Sequence, residues 1–180
     1  MSYSKYTINC MSCKTKNDLN EDKRTIYQDE ICKVVLRADN QIWLGRCIIV
    51  PWEHVSPKEM YTSRTDLLLH IGTIIALLNK AFAKAYDMDM SNIAQLGNLT
   101  EDENGNKTAI DEYFHVHFHF IPRYKEGKII NILNHNFSDP QWGKALNIDP
   151  KAGLPVYSPD DEMIARIKYD LEKAITEIKK

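Results

Sequence analysis

The segment Phe114-His115-Val116-His117-Phe118-His119-Phe120-Ile121-Pro122-Arg123 constrains this chain more than any other. Side chains on a β-strand alternate between two faces. A strand here therefore puts three imidazoles on one face and Phe114, Val116, Phe118 and Phe120 on the other, and that apolar row requires a core behind it. A lone strand histidine is most often a hydrogen-bonded structural residue. Three in strict alternation crowd titratable rings at a cost in stability, and ionisable groups gathered in this way mark functional sites.

The surrounding pattern indicates where such a strand belongs. Thr25–Gln28 and Ile31–Arg37 read as strands joined by a turn at Asp29-Glu30, and 46–50 reads as a third strand that Pro51 ends. From Pro57 to about Tyr86 the period becomes helical, with Leu67, Leu68, Ile71, Ile74, Ile75, Leu78 and Phe82 on one stripe and the main helix at Asp66–Tyr86. A fourth strand is expected at Asn92–Asn98, a polar loop at Thr100–Thr108 turning at Asn104-Gly105, and a fifth strand at Phe114–Ile121. Strands, long helix, strands: the fold class is α+β with a mainly antiparallel sheet. Residues 1–124 form the first unit and residues 125–180 an extension. The extension has no sustained period until Ser158, Pro159 and Asp160-Asp161-Glu162 start a last helix. Its apolar face, Met163, Ile164, Ile167, Leu171, Ala174 and Ile178, must dock on the domain or on a second subunit.

Composition narrows the partners. A net charge of −2, with Lys and Arg spread along the chain, leaves no footprint for nucleic acid or an anionic membrane. The N-terminus has no apolar signal core, and the longest apolar run, near Ile71–Leu78, is too short to span a bilayer, so a cytoplasmic location is expected. Four cysteines in that compartment are thiols or metal ligands rather than disulfides. Cys32 and Cys47 lie in strand-like runs and read as buried apolar residues.

Two chemistries suit the imidazole row: metal ligation, or attack on an electrophile by one ring while others hold negative charge. Same-face neighbours on a strand stand roughly 7 Å apart, from a rise of about 3.3 Å per residue. Convergence of all three on one ion is awkward at that spacing, whereas a row along a phosphate chain fits.

The run HVHFHFIPR resembles the signature of the histidine-triad family. Asp39 followed by LGRCIIVPWEH resembles that family's strand, proline and histidine segment, and 92–98 (NIAQLGN) resembles the strand before the triad. The similarity spans roughly Cys10 to Tyr124. It implies a nucleotide hydrolase or nucleotidyl transferase acting at an α-phosphate, on a nucleoside phosphoramidate or a dinucleoside polyphosphate. His117 would be the nucleophile, His119 would hold phosphate oxygens, Asp39 would meet ribose hydroxyls, and Asn98 would contact phosphate or steady the triad. A neutral nitrogen must face phosphorus, so the other nitrogen of His117 needs an acceptor such as a backbone carbonyl. The resemblance also implies a homodimer. Two departures bear on the leaving group. Ile110-Asp111-Glu112-Tyr113 stands where many members carry Gly-Gln, and an acidic loop precedes it.

Cys10-Met11-Ser12-Cys13 has zinc-knuckle spacing, which alone is a weak signal. Some histidine-triad-like proteins, and the related galactose-1-phosphate uridylyltransferases, pair such cysteines with two histidines. Here that resemblance implies structural zinc held by Cys10, Cys13, His54 and His115. His54 has a competing role as leaving-group assistant. Two other functions stay open: a metal-dependent hydrolase using the triad itself as ligands, and a nucleotide-binding scaffold without turnover. His70, beside the helical stripe, reads as structural and His135 as solvated. Trp142 reads either as a cover for a base or as a loop anchor.

Overall fold

The computed structural model describes residues 13, 23–96, 100–101, 107–108, 114–147, 153 and 155–180. Strands β1 (Thr25–Gln28), β2 (Cys32–Leu36), β3 (Cys47–Pro51), β4 (Met90–Ala94) and β7 (Phe118–Arg123) form one sheet in the order β1-β2-β3-β7-β4, antiparallel throughout. The alternation in each strand decides its two faces. Val34, Leu36, Cys47, Ile49, Phe118 and Phe120 point into the main core. Ile48 and His119, paired across β3 and β7, point the other way. The fold is α+β, as the order of periods implies.

Helix α1 (Pro57–Ser63) starts with Ser56 accepting the Glu59 N–H at 3.2 Å and Pro57 in its first turn. Helix α2 (Thr65–Tyr86) covers the core face of the sheet and buries Leu67, Ile71, Ile74, Leu78, Ala81, Phe82 and Tyr86. The helical stretch is thus broken in two at Arg64 (φ −118°, ψ 51°), whose guanidinium bonds Glu53 and Asp66. No Gly or Pro announces that break. By length and composition α2 is apolar enough to cross a membrane, which corrects the expectation from its shorter apolar run. Its stripe is instead packed against the sheet and a last helix, α3 (Asp161–Ile178).

Asp160 caps α3 by accepting the Met163 N–H at 2.8 Å, with Asp161 and Glu162 in the first turn where the helix dipole favours them. The apolar face of α3 docks on the domain itself: Met163, Ile164, Ile167, Leu171, Ala174 and Ile175 join the same core as α2, and Tyr86 donates to the Ile167 carbonyl. The segment before α3 is tied down as well. The Gln41 N–H donates to the Tyr157 carbonyl at 2.7 Å, and the Ser158 hydroxyl donates to the Asp39 carbonyl at 3.0 Å.

Three local expectations are corrected. β4 ends at Ala94 rather than running to residue 98. The aperiodic stretch after Arg123 contains a hairpin, β8 (Ile130–Ile132) with β9 (His135–Phe137). The polar loop begins and ends in a two-residue ladder, β5 (Thr100–Glu101) with β6 (Lys107–Thr108), while its turn at Asn104-Gly105 lies outside the described residues.

The fifth strand is shifted. It runs Phe118–Arg123, and Phe114 to His117 precede it as irregular chain. The cause is Pro51 at the end of β3, which has no N–H to extend the ladder. The Val116 N–H goes instead to the Val55 carbonyl at 2.9 Å. At the other end Pro122 sits inside the strand, paired with Ser91 on the β4 side, two residues beyond the last β3 pair at Cys47 and Phe120. A proline fits there because one neighbour is already gone.

Candidate active site and metal centre

His119 stands on β7 facing away from the main core, between Ile48 of β3 and Ala94 of β4. The His117 ring meets it edge-on, with centroids 5.1 Å apart. His117 Nδ1 lies 3.1 Å from the His115 carbonyl oxygen, so Nδ1 carries the hydrogen and donates. Nε2 is then left with its lone pair, the tautomer a nucleophile needs. Phe114 does not line the apolar back as strict alternation would have it. It stacks on the His117 ring, 6.0 Å between centroids and 20° between planes, because the irregular chain has lost the two-residue period.

Burial lowers the proton affinity of all three rings. His119 is pushed down to about 4, first by burial and then by the charges of His117, Arg46 and Arg37. His117 is also lowered, chiefly by burial, against which its bond to the His115 carbonyl works. The rings are therefore neutral at physiological pH. His119 acts as a hydrogen-bonding group and not as a fixed cation.

The fixed cations are Arg37 and Arg46, which the sequence reading passed over. They lie at the end of β2 and the start of β3, with the Arg37 N–H donating to the Arg46 carbonyl at 3.0 Å. The loop between them is stitched by Gln41, wholly buried, whose amide donates to the carbonyls of Arg37 and Arg46 and accepts the Gly45 N–H at 2.8 Å. The alternation of Arg46, Ile48 and Val50 was the available signal, since it sets Arg46 on the face of His119. Asp39 lies on that loop with both carboxylate oxygens 2.8 Å from Arg37 nitrogens. Burial raises its carboxyl, but Arg37 outweighs burial and holds it below the ordinary range. Asn98 lies outside the described residues, as do Asp111 and Glu112.

A second cluster lies behind the triad. Cys13 Sγ is 3.4 Å from Nδ1 of both His54 and His115, and the three ligand atoms fall within 4.8 Å of one another. A tetrahedral zinc with bonds of about 2.3 Å to sulfur and about 2.0–2.1 Å to nitrogen sets sulfur and nitrogen about 3.5 Å apart. The observed separation matches. His115 Nε2 donates to the Pro51 carbonyl at 2.9 Å, which fixes the tautomer and turns Nδ1 toward Cys13, the outer-sphere support expected of a metal-binding histidine. Burial pushes His115 down to about 4, with the His54 charge adding, so it is neutral and able to ligate. The donor set fits zinc; the fourth expected ligand, Cys10, lies outside the described residues. The triad thus divides, with His115 turned to this cluster and His117 and His119 left together. His54 stands edge-on to His115 at 5.2 Å.

The remaining candidates are placed as follows. His70 Nε2 is 2.9 Å from Asp29, whose carboxylate also accepts the Ile31 and Cys32 N–H groups, so this histidine braces the β1–β2 turn. His135 is half-buried rather than freely solvated: its ring stacks on Tyr157 at 3.8 Å and 16°. Cys32 and Cys47 are fully buried, and burial raises the Cys32 thiol to about 12, leaving both inert. Trp142 is half-buried on a loop that Arg123 holds through a buried pair with Asp139 at 2.5 Å and a bond to the Gln141 carbonyl at 2.6 Å. A groove of about 800 Å³ along α3, lined by Arg24, Ile164, Lys168 and Tyr169 among others, includes none of the triad.

This sheet, with a row of histidines on its open face and a long helix on the other, is the fold of the histidine-triad proteins. The chain is similar over 87% of its length to a hypothetical histidine triad nucleotide-binding protein from Sulfolobus tokodaii (TM-score 0.59, 18% identity, 85% of that chain). It is similar over 88% to a histidine triad protein from Marinobacter aquaeolei (TM-score 0.56, 19% identity, 93% of that chain). A zinc-bound histidine triad family protein from Mycobacterium smegmatis matches over 86% (TM-score 0.51, 17% identity, 85% of that chain). No protein-family model and no curated protein matches the sequence.

Proposed function

We propose that the protein hydrolyses or transfers nucleotides at the α-phosphate, through a covalent nucleotidyl intermediate on His117. The observation that carries this reading is the bond from His117 Nδ1 to the His115 carbonyl, which leaves Nε2 as a lone-pair nucleophile beside His119. In the first step Nε2 bonds to the α-phosphorus. The bond from phosphorus to the leaving group breaks with its electron pair going to the leaving group. A polyphosphate departs as the anion; an amine takes up a proton from solvent water, and that proton is returned to solvent when water attacks in the second step. In the second step water attacks phosphorus, the P–N bond breaks, and a nucleoside monophosphate is released. Two displacements of this kind are each easier than one. Substrates fitting the reading are nucleoside phosphoramidates and dinucleoside polyphosphates, with Asp39 toward ribose and Asn98 toward phosphate.

Zinc at Cys10, Cys13, His54 and His115 completes the proposal as a structural ion. With all four ligands from the protein it would have no open position for chemistry. Its service is to fix the chain just before the nucleophile, because His115 supplies both a ligand and the carbonyl that orients His117. This assigns His54 to the metal and disfavours a catalytic ion on the triad, since His117 and His119 lie outside the cluster. The test is acid quenching during turnover of an adenosine phosphoramidate, followed by peptide mass spectrometry. An adenylyl group on the peptide containing His117 supports the reading. Turnover with no adduct at any quench time, including with slow substrates, opposes it.

A further inference from the structure

Arg46 is a buried cation that feels the Asp39 carboxylate electrostatically but forms no ion pair with it. The residue is 6% exposed, and its Nε has no hydrogen-bond partner among the described residues. A charged group in that position costs several kcal/mol unless something pairs with it. The one carboxylate at hand, Asp39, already spends both oxygens on Arg37. Two guanidiniums therefore stand against one carboxylate. The His119 ring supplies no negative charge and is itself held neutral by burial.

Two of the orphaned donors lie on the His119 face of the sheet. Among the described residues, the buried side-chain atoms lacking a partner are Arg46 Nε, Trp43 Nε1, His119 Nδ1 and Gln95 Nε2. Arg46 lies over the Trp43 ring at 5.7 Å, a contact that holds the guanidinium without neutralising it. Register puts Arg46 on the face of His119: Ile48 pairs with His119, and Arg46 lies two residues before Ile48. It is thus the diagonal neighbour of His119 across the β3–β7 pair, a separation that long side chains span. Two orphaned donors, Arg46 Nε and Trp43 Nε1, thus share a face of the sheet with the unpartnered His119 Nδ1.

We propose that Arg46 is the charge-bearing phosphate ligand of this site, left unpaired by the fold so that the phosphate of a bound nucleotide completes it. The inference rests on the nucleotide reading above and adds what selects the anion. A guanidinium gives a phosphate charge-assisted hydrogen bonds that a neutral imidazole does not. In the empty protein Arg46 is a burden, and in the complex it is a contact. A structural arginine would show the opposite balance, since its removal would cost stability with or without nucleotide.

The experiment compares wild type, Arg46→Met and Arg46→Lys by calorimetric titration with AMP and with adenosine, and by thermal melting without ligand. Arg46→Met should lose about tenfold to a hundredfold in AMP affinity, as for a lost hydrogen bond to a charged group. Its adenosine affinity should be unchanged, and it should melt no lower than wild type. Arg46→Lys, which keeps the charge, should lose less for AMP than the Met variant. An Arg46→Met chain that unfolds or melts below wild type overturns the inference, as does equal loss of AMP and adenosine binding, or equal AMP loss in both variants. If wild type and Arg46→Met bind AMP alike, this inference falls while the His117 mechanism stands. If wild type binds neither AMP nor adenosine, both fall.

Discussion

Gly45 packs so closely against Phe82 that a Cβ placed on the glycine would overlap the phenyl ring, with Cζ only 2.8 Å away. Gly45 also holds φ at +81°, in the left-handed region where a side chain is strained. The close approach joins the site to the core, because Gly45 precedes Arg46 and Phe82 packs on Phe120 of β7 at 5.1 Å between centroids. Gly45→Ala is expected to lose about 2–4 kcal/mol, from backbone strain together with overpacking. Urea denaturation measures it. A loss within about 0.5 kcal/mol, the usual range for surface changes, would show that the loop yields freely.

The metal prediction separates two histidines of one triad. Protein made with ample zinc should carry about one equivalent, and His115→Ala should carry less than about a tenth of that. His117→Ala should keep the metal, because its ring lies outside the cluster and bonds only the backbone carbonyl of His115. Elemental analysis of the three proteins decides it. Zinc lost with His117 and retained without His115 would reverse the assignment.

Acid should destabilise the protein through His119. The ordinary imidazole value is 6.5, and burial lowers it in the folded state to about 4. Between those values the unfolded chain binds the proton and the folded chain does not. The stability tied to the neutral ring is therefore complete above pH 6.5, falls as pH drops from 6.5 to 4, and changes no further below 4. His119→Gln should show a shallower loss over that window in urea titrations taken at steps of pH. Identical slopes for the two proteins would contradict it.

Homodimer formation is expected, through a different surface from the helix faces. The stripes of α2 and α3 are spent on one shared core. Among the described residues no strand lies beside the outer edge of β4, and its side of the fold exposes Met90, Ile93 and Leu96. The opposite edge, β1, is packed by α3. An open apolar edge is a template for pairing with a second chain. Light scattering should give twice the chain mass at micromolar concentration, and Ile93→Lys should halve it. A wild-type monomer across that range would contradict the prediction.

Much of the fold is visible in the sequence because the periods are clean. The stripe from Leu67 to Phe82 and the alternation around His119 put α2 and β7 on opposite sides of one core. What stayed hidden depends on contacts distant in sequence. Leu133 turns the β8–β9 hairpin at φ 50°, a conformation no leucine advertises. The proline that displaces β7 lies in β3. The histidine pattern singled out His117 as the candidate nucleophile, and the family resemblance set His115 apart as a metal ligand. The fold brings His115 against Cys13 and His54, as that resemblance implies, and adds that the His117 ring meets His119 and bonds the His115 carbonyl. Arg46 escaped notice because a single arginine in a strand looks solvated until its burial is seen.

The mechanism stands or falls on His117. Replacing it with Ala removes the nucleophile and leaves Val116, Phe118 and the β3–β7 ladder in place, so folding should be little changed. Single-turnover hydrolysis of an adenosine phosphoramidate should then fall by several orders of magnitude, as expected when a covalent route is lost. His119→Ala should fall less, by about 10²–10³, the usual cost of one lost hydrogen-bond donor to a developing charge. The adenylylated protein should appear in quenched wild type and be absent from His117→Ala. Near-native turnover by folded His117→Ala would contradict the account.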